Sequence, residues 1–357
     1  MPQQDVELMD RGQQASPHAV DEAVLDAFRR WGYLEANLDP LGFLQPRPHP
    51  ELRGDSDAAR QARAWYCGPI GAEFMHIPDP ERRRWVQERM EAPAPAIDQQ
   101  AVFERLLRAE VFEVVRHGRY PGSKRFSLEG VTALIPLLDE VLETAAAQGL
   151  REALIGMSHR GRLNVMVHIV GRPVRDVYAG FEDPDPKSVL GSGDVKYHMG
   201  ATGTYRTRAG TELRVKLVSN PSHLEAVYPV ALGRARARQT REGEGARRRV
   251  MPIVLHGDAA FAGQGITAEA LNIADLPGYT VGGAVHVVVN NLLGFTTPDR
   301  ELHASPFATD VARRLMAPIF HVNGENPEAV VRAARLATEF RYTFGTDAVI
   351  DMIGYRR

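Results

Sequence analysis

Two polar residues that follow apolar runs of the chain, Asp258 and Asn291, have the types and placement of ligands to a divalent cation. Asp258 ends the run VMPIVLHGD and Asn291 ends the run AVHVVVNN, with one predicted helix between them. If the two runs are neighbouring parallel strands, their carboxyl ends lie at the same edge of the sheet. Mg²⁺ prefers oxygen ligands and is usually held by one or two protein groups together with substrate phosphates. The spacing therefore predicts a magnesium site shared by Asp258 and Asn291.

Glycines and a predicted helix follow Asp258, and they suit the binding of a diphosphate. Gly263 and Gly265 let backbone N–H groups approach a charged ligand closely, and the helix predicted over 266–276 directs its amino-terminal dipole toward the same edge. A Gly-Asp pair after a strand is by itself common in proteins without such a function. Its combination with the glycines and Asn291 is far more restrictive, and it predicts one site for metal ion and diphosphate together.

Long amphipathic segments alternate with short apolar runs from Gln99 onward, which is typical of a parallel sheet covered by helices. The predicted fold class is therefore α/β. Helices are predicted over 99–117, over 128–149 with Ser127 as the amino-terminal cap, and over 161–170, and a strand over Ala153–Met157. Farther along, the pattern predicts strands at ELRVKLVSN, VMPIVLHGD, AVHVVVNN, IFHVNG and DAVIDMIGY, and helices at HLEAVYPVALGRARARQ, ITAEALNIADL, DVARRLM and PEAVVRAARLATEFRYTF.

The first 98 residues have a different pattern, which predicts a small region of helices and irregular segments. Helices are indicated over Asp21–Trp31 and over about 80–90, with a connection rich in Pro and Gly between them. The segment EAPAPAID, residues 91–98, has the composition of a short, stiff linker. We therefore predict two parts, residues 1–98 and the α/β domain over residues 99–357.

The composition excludes several classes of protein. Hydrophobic residues make up 44% and charged residues 25% of the 357 residues, as in ordinary globular chains, and a net charge of -2 gives no bulk attraction to nucleic acid or membrane. The single cysteine, Cys67, cannot form an intramolecular disulfide. No apolar run approaches the roughly 20 residues that cross a bilayer. We expect a cytoplasmic protein without nucleic-acid or membrane partners.

Several motifs resemble those of the thiamine-diphosphate-dependent decarboxylating subunits of 2-oxoglutarate dehydrogenases, in particular their amino-terminal, cofactor-binding half. The cofactor fingerprint of that family resembles GDAAFAGQG, GYTVGG and VVNNLLGFTT, and the likeness extends over nearly the whole chain through RFSLEGVTALIPLLD, IGMSHRGRLNVMVHIVG and NPSHLEAV. The resemblance implies a diphosphate-binding domain in which Asp258, Asn291 and the backbone carbonyl of Leu293 hold Mg²⁺. It also implies that Ala259 and Ala260 lie against the cofactor.

The same resemblance assigns roles to residues that follow other predicted strands. His159 and Arg160 come after the strand ending at Met157 and are implied to contact substrate, with Arg160 also contacting the cofactor. His198 is implied as a second substrate histidine, and both histidines as catalytic groups. The resemblance further gives cofactor contacts at Ser222 and Leu224. A histidine at such a position is as often structural as functional, and no separate function is predicted for His256, His286 and His321.

The activity implied by the resemblance is oxidative decarboxylation of 2-oxoglutarate in the tricarboxylic acid cycle. Succinyl transfer to the lipoyl domain of the dihydrolipoyl succinyltransferase component and a homodimer in the full-length protein are implied as well. Three alternatives stay open: a 2-oxoadipate dehydrogenase, a transketolase-type enzyme, and a non-catalytic module that binds thiamine diphosphate. One methylene in a substrate changes binding by only about 1 to 3 kcal/mol, so the motif residues do not choose between the two oxo acids.

The last predicted strand, DAVIDMIGY, lies close to the end of the sequence. DAVIDMIGY is followed only by two arginines, so the sequence is expected to be part of a longer chain. The resemblance places the carboxylate that activates the cofactor's aminopyrimidine in a later part of the polypeptide. We therefore expect the chain alone to be inactive.

Overall fold

An eight-stranded sheet forms the centre of the computed structural model, which describes residues 17–124, 126–182 and 195–357. In spatial order the strands are β1, β9, β10, β6, β5, β2, β4 and β3, and a separate two-stranded ribbon pairs β7 with β8. The strands are β1 Ile70–Glu73, β2 Glu152–Met157, β3 Ala201–Arg206, β4 Glu212–Leu217, β5 Val250–Gly257, β6 Val285–Asn290, β7 Leu293–Gly294, β8 Thr297–Pro298, β9 Ile319–Asn323 and β10 Ala348–Ile353.

Helices cover both faces of the sheet. Successive strand residues alternate between two cores: Ile253 and Val287 pack in the core that includes α5 and α12, and Val254 and Val288 pack in the core that includes α8 and α11. Both faces being buried explains the nearly continuous apolar runs. The helices are α1 Pro17–Trp31, α2 Asp57–Tyr66, α3 Pro80–Glu91, α4 Gln99–Arg119, α5 Leu134–Ala147, α6 Arg162–His168, α7 Val174–Glu182, α8 Val227–Glu242, α9 Ala246–Arg249, α10 Asp258–Gly263, α11 Gly265–Ile273 and α12 Pro327–Phe344.

The predicted α/β class with its helix-flanked parallel sheet is confirmed, but the two edge strands run against the rest. β1 pairs antiparallel with β9 and β3 pairs antiparallel with β4. Neither strand was predicted, since four residues and a Gly- and Thr-rich segment give weak periodic signals. Because β1 belongs to the first 98 residues, the amino-terminal region contributes directly to the sheet. The division at residue 98 stays a prediction.

Two predicted helices were wrong in detail. The helix predicted over 128–149 begins only at Leu134, and the Ser127 hydroxyl donates to Glu129 Oε2 (3.0 Å) instead of capping a helix. Gly130 interrupts the first turns with a φ of +85°, and a Cβ there would lie 2.4 Å from the carbonyl oxygen of Tyr355. The first five residues of the segment DVARRLM lie in a 3₁₀ helix, Ala308–Arg314, and not in an α-helix. Within the described ranges, we find no helix with the length and apolarity of a membrane span.

Candidate functional site

The carboxyl ends of β5 and β6 lie side by side, as the sequence predicted. The two strands pair in parallel, with Gly257 opposite Val289. Asp258 follows β5 directly and begins α10, and Asn291 follows β6 directly. The parallel ladder therefore brings the two predicted metal ligands to one edge of the sheet.

Three polar groups converge there: the Asp258 carboxylate, the Asn291 amide and the backbone carbonyl of Leu293. In the amide orientation that satisfies its neighbours, the Asn291 nitrogen donates to Leu293 O (3.0 Å) and to Asp258 Oδ1 (3.2 Å), and its oxygen accepts from Arg160 Nη1 (3.3 Å). The cation ligands implied by the resemblance are thus neighbours in space.

The oxygen atoms fit a small divalent cation. Octahedral Mg²⁺ at 2.0 to 2.1 Å places adjacent ligands about 3 Å from each other, which matches the spacing around the Asn291 amide. Asp258 Oδ2 is buried and has no hydrogen-bond partner within the described part of the chain. Burial, with lesser contributions from the charges of Asp351 and Asp299, raises the pKa of Asp258 to about 7. A bound cation would satisfy the oxygen and stabilise the charged carboxylate.

The described residues contain no cluster of three or more His, Cys, Asp and Glu side chains that could hold a metal. The candidate centre instead combines one carboxylate, one amide and one carbonyl. Such an all-oxygen set suits a hard cation and not zinc, which usually takes nitrogen and sulfur ligands.

Close packing sets the turn that carries the Leu293 carbonyl. Leu292 is left-handed, with a φ of +56°, and its N–H donates to Asn290 Oδ1 (2.9 Å). A Cβ on Gly294 would lie 2.8 Å from the Cβ of Ala259, so only glycine lets β7 approach α10 this closely. Ala259 is partly exposed at this contact and Ala260 is buried. The implied cofactor contacts of these two alanines stay a prediction.

Arg160 reaches the same edge of the sheet from the end of β2. Its guanidinium donates to the carbonyl oxygens of Tyr355 (2.7 Å), Glu129 (3.1 Å) and Ser127 (3.3 Å), besides Asn291. Burial lowers the pKa of Arg160 to about 10, opposed by the Asp258 charge. Because the Arg160 guanidinium is bonded mostly to neutral carbonyls, its positive charge can still bind an anion.

His159 stands in a positive environment. Its ring lies 4.1 Å from the ring of Phe126, centroid to centroid. Burial is the largest cause that lowers the pKa of His159, and the neighbouring positive charges of His198, Arg356 and Lys124 lower it further. This grouping brings together the two histidines implied as substrate contacts. The surplus of positive charge favours an anionic ligand.

His198 is held in place by backbone contacts. Its carbonyl accepts from Asn220 N (3.1 Å), and its Nδ1 is buried without a partner among the residues described. The following carbonyl, of Met199, accepts from Arg162 Nη2 (2.7 Å) and Nε (3.0 Å). Arg162 also donates to the carbonyls of Met157 (3.0 Å) and Val218 (2.5 Å), at the ends of β2 and β4.

Arg162 was missed by the sequence analysis. It is fully buried, and burial lowers its pKa to about 9. The sequence does carry one signal, because Arg162 is a charged residue at the start of α6, a segment whose other residues are mostly apolar. Its four hydrogen bonds join the His198 segment to the edge where Asp258 lies.

The segment with Ser222 and Leu224 lies before α8 and is exposed. Next to it, Glu225 is buried with a φ of +68°, and its Oε2 lies 2.6 Å from His256 Nδ1. His256 is two residues before Asp258, so this pair ties the exposed segment to the end of β5. The cofactor contacts implied for Ser222 and Leu224 stay predictions.

A cavity of 840 Å³ opens beside the candidate metal centre. Its wall includes Asn291 and Leu293, the guanidinium-bearing Arg356, and the amino-terminal residues Leu41 and Phe43. Phe43 is 79% exposed, so the amino-terminal segment presents an apolar surface next to polar ligands. A cavity of this volume and mixed lining suits an organic molecule with a charged end.

Comparisons with known proteins agree with the geometry. The family model of the dehydrogenase E1 component matches residues 105–357. The 2-oxoglutarate dehydrogenase E1 components of Brucella anthropi, Brucella canis and Brucella abortus are each 42% identical over 377 aligned residues, which include 94% of this chain. The chain spans 38% of the length of these relatives.

Proposed function

The chain belongs to the dehydrogenase E1 component family, and on this premise we propose that it binds thiamine diphosphate with Mg²⁺ and contributes to the oxidative decarboxylation of 2-oxoglutarate. The observation that carries the proposal is the convergence of Asp258, Asn291 and the Leu293 carbonyl at the ends of two parallel strands. The names of the relatives support the substrate. Because these relatives are longer than the chain described, the complete reaction is part of the proposal.

The Asn291 amide can direct either end toward Asp258. With its nitrogen there, the amide donates to Asp258 and Leu293; with its oxygen there, three oxygen atoms face one cation. The second orientation turns the amide nitrogen toward Arg160, which releases that donor for an anion. We infer that cation binding frees Arg160 to bind the diphosphate, a geometry that its forked donors suit. Helix α11 begins at Gly265, soon after Asp258 and α10, and its amino-terminal dipole would favour an anion bound next to it.

When bound, thiamine diphosphate supplies a nucleophilic carbon and an electron sink for loss of carbon dioxide. The chain's own residues orient the cofactor and the oxo acid. His159 and His198 donate to the carboxylates of the substrate, and the neighbouring charges of Lys124 and Arg356 stabilise a dianion. A carboxylate beside His159 would favour its protonated form and so enable it to transfer a proton.

The remaining parts of the proposal concern partners. We propose that the succinyl group passes to the lipoyl domain of a dihydrolipoyl succinyltransferase component, and that the complete enzyme is a homodimer in the cytoplasm. The names of the relatives as E1 components support a multicomponent assembly. Size-exclusion chromatography with light scattering, with and without an isolated lipoyl domain, tests both the dimer and the partner.

Isothermal calorimetry with thiamine diphosphate tests the binding proposal. The wild-type chain is expected to bind the cofactor when Mg²⁺ is present and at least tenfold more weakly when EDTA replaces it. Asp258→Ala removes one ligand and is expected to abolish the Mg²⁺ effect. Asp275→Ala is the matched control because the Asp275 carboxylate contacts Thr346 in the turn before β10, at the end of that strand opposite to the candidate metal centre. Equal affinity of wild type and Asp258→Ala would contradict the proposal.

A further inference from the structure

Four buried polar side chains form a row over four neighbouring strands, from the edge strand β1 to β6 beside the candidate metal centre. Glu73 lies on β1, His321 on β9, Asp351 on β10 and Asn290 on β6. His321 Nε2 lies 3.4 Å from Glu73 Oε2, and His321 Nδ1 lies 2.9 Å from Asp351 Oδ2. The Asn290 amide donates to Asp351 Oδ1 (3.1 Å). None of the four is more than 4% exposed, so water does not compete for these bonds.

The charges in this row balance each other. Burial alone would lower the pKa of His321, but the hydrogen bonds and charges of Asp351 and Glu73 raise it to about 9. The same contacts hold the pKa of Glu73 below its usual range against the effect of burial. Arg313 also pairs with Glu73 and donates to the hydroxyl of Tyr33 (2.7 Å). The His321 ring therefore lies between two buried carboxylates, one on each side, and has an N–H to donate to each of them.

The last member of the row controls the backbone beside the cation ligands. The Asn290 amide nitrogen donates to Asp351 Oδ1, which fixes the orientation of the amide. The amide oxygen then accepts from Leu292 N (2.9 Å). Leu292 has a left-handed φ of +56°, a conformation that is unfavourable for leucine, and it lies between Asn291 and Leu293. Among the contacts described, the Asn290 oxygen is the one side-chain hydrogen-bond partner of the Leu292 backbone.

We infer that Asn290, Asp351 and His321 are positioning residues that set the Asn291 amide and the Leu293 carbonyl for a divalent cation. The inference rests on the proposed function, since it concerns the same cation. It also links the amino-terminal strand β1, through Glu73, to the metal centre. A purely structural role is the competing explanation, but the sheet is already held by its ladders and two apolar cores, and buried ion pairs stabilise a fold little more than apolar residues do.

Mn²⁺ binding in the presence of thiamine diphosphate, followed by the electron paramagnetic resonance of free Mn²⁺, tests the inference. We compare wild type with Asn290→Ala, Asp351→Asn and His321→Gln in the complete chain. Each is expected to weaken Mn²⁺ binding by tenfold or more, the usual effect of removing a hydrogen-bond partner that orients a metal ligand. Hydrogen exchange at the Leu292 amide should become faster in Asn290→Ala and Asp351→Asn.

Gln239→Met is the matched control. Gln239 is equally buried and donates to the carbonyls of Val250 (2.9 Å) and Val281 (2.8 Å), at the opposite end of β5 from the metal centre. It is expected to lower thermal stability without changing Mn²⁺ affinity. His321 is the most remote of the three residues from the metal centre, so His321→Gln still tests the positioning role if Asn290→Ala does not fold.

The possible outcomes are distinct. Folded variants that bind Mn²⁺ within twofold of wild type would overturn the positioning role while leaving the proposed function intact. A weakening of Mn²⁺ binding by Gln239→Met that equals the effect of His321→Gln would also overturn it, since general loss of stability would then be the cause. A wild-type chain that binds no Mn²⁺ with the cofactor would overturn the proposed function and the inference together.

Discussion

The buried imidazolium of His321 predicts how the stability of the fold depends on pH. Its pKa is about 9 in the folded chain and, as for an ordinary histidine, 6.5 in the unfolded chain. A raised pKa means that the folded state binds the proton more tightly. The resulting stabilisation is complete below pH 6.5 and is lost as the pH rises through 9. Above that pH, two buried carboxylates face a neutral ring.

The magnitude follows from the two pKa values. Between about pH 7.5 and about pH 9.0, linkage gives a loss of roughly 1.5 kcal/mol from this one group. The lowered pKa of His159 and that of His168, at about 4, change stability only below the unfolded value of 6.5 and so leave this range unaffected. Buried tyrosines such as Tyr66 have raised pKa values and add a loss of their own toward the upper end, because they ionise more readily when unfolded.

Urea unfolding of wild type and His321→Gln at the two pH values separates these contributions. Tyrosine ionisation affects both proteins alike, so the difference between their free energies of unfolding reports His321. We expect wild type to lose about 1.5 kcal/mol more than the variant over this range. Equal pH dependence of the two proteins would refute the reasoning, since His321 would then not be charged in the fold.

Three further predictions concern the site. Gly294→Ala places a Cβ 2.6 Å from Leu302 and 2.8 Å from Ala259, so it should displace the Leu293 carbonyl and weaken Mn²⁺ binding at least tenfold. Gly278→Ala, with open space around the new Cβ, should leave Mn²⁺ binding unchanged. The electron paramagnetic resonance of free Mn²⁺ distinguishes the two variants. Arg162→Met leaves three backbone carbonyls without their donor, those of Met157 and Val218 fully buried and that of Met199 partly buried. It should destabilise the fold by about 3 kcal/mol in urea unfolding, and a change below about 1 kcal/mol would contradict the role described. His198→Ala should weaken binding of 2-oxoglutarate in calorimetry more than binding of pyruvate, which has one carboxylate, and equal losses would count against a dicarboxylate site.

Much of the sheet could be predicted because strands buried on both faces have nearly continuous apolar runs. The positions of β5 and β6 followed from VMPIVLHGD and AVHVVVNN, and with them the proximity of Asp258 and Asn291. The edge strands β1 and β3 escaped prediction for different reasons. β1 has four residues and pairs with β9, far later in the chain. β3 forms a local hairpin with β4, but its Gly- and Thr-rich sequence gives only a weak alternating pattern.

The supporting residues of the site were harder to predict than its ligands. Arg162 and His321 act through carbonyls and carboxylates that lie far away in sequence, such as Val218 and Glu73. Local sequence shows only a charged residue in an apolar segment, and that pattern does not identify its partner. Ser127 failed as a helix cap for a related reason: the backbone at Gly130 is fixed by contact with Tyr355, more than two hundred residues later.

Anomalous scattering from a crystal of the chain grown with Mn²⁺ and thiamine diphosphate tests the central claim most directly. The account predicts one peak at coordination distance, about 2 Å, from an oxygen of Asp258, the amide oxygen of Asn291 and the carbonyl oxygen of Leu293. A cofactor-bound crystal whose Mn²⁺ peak lies away from these three atoms would contradict the account.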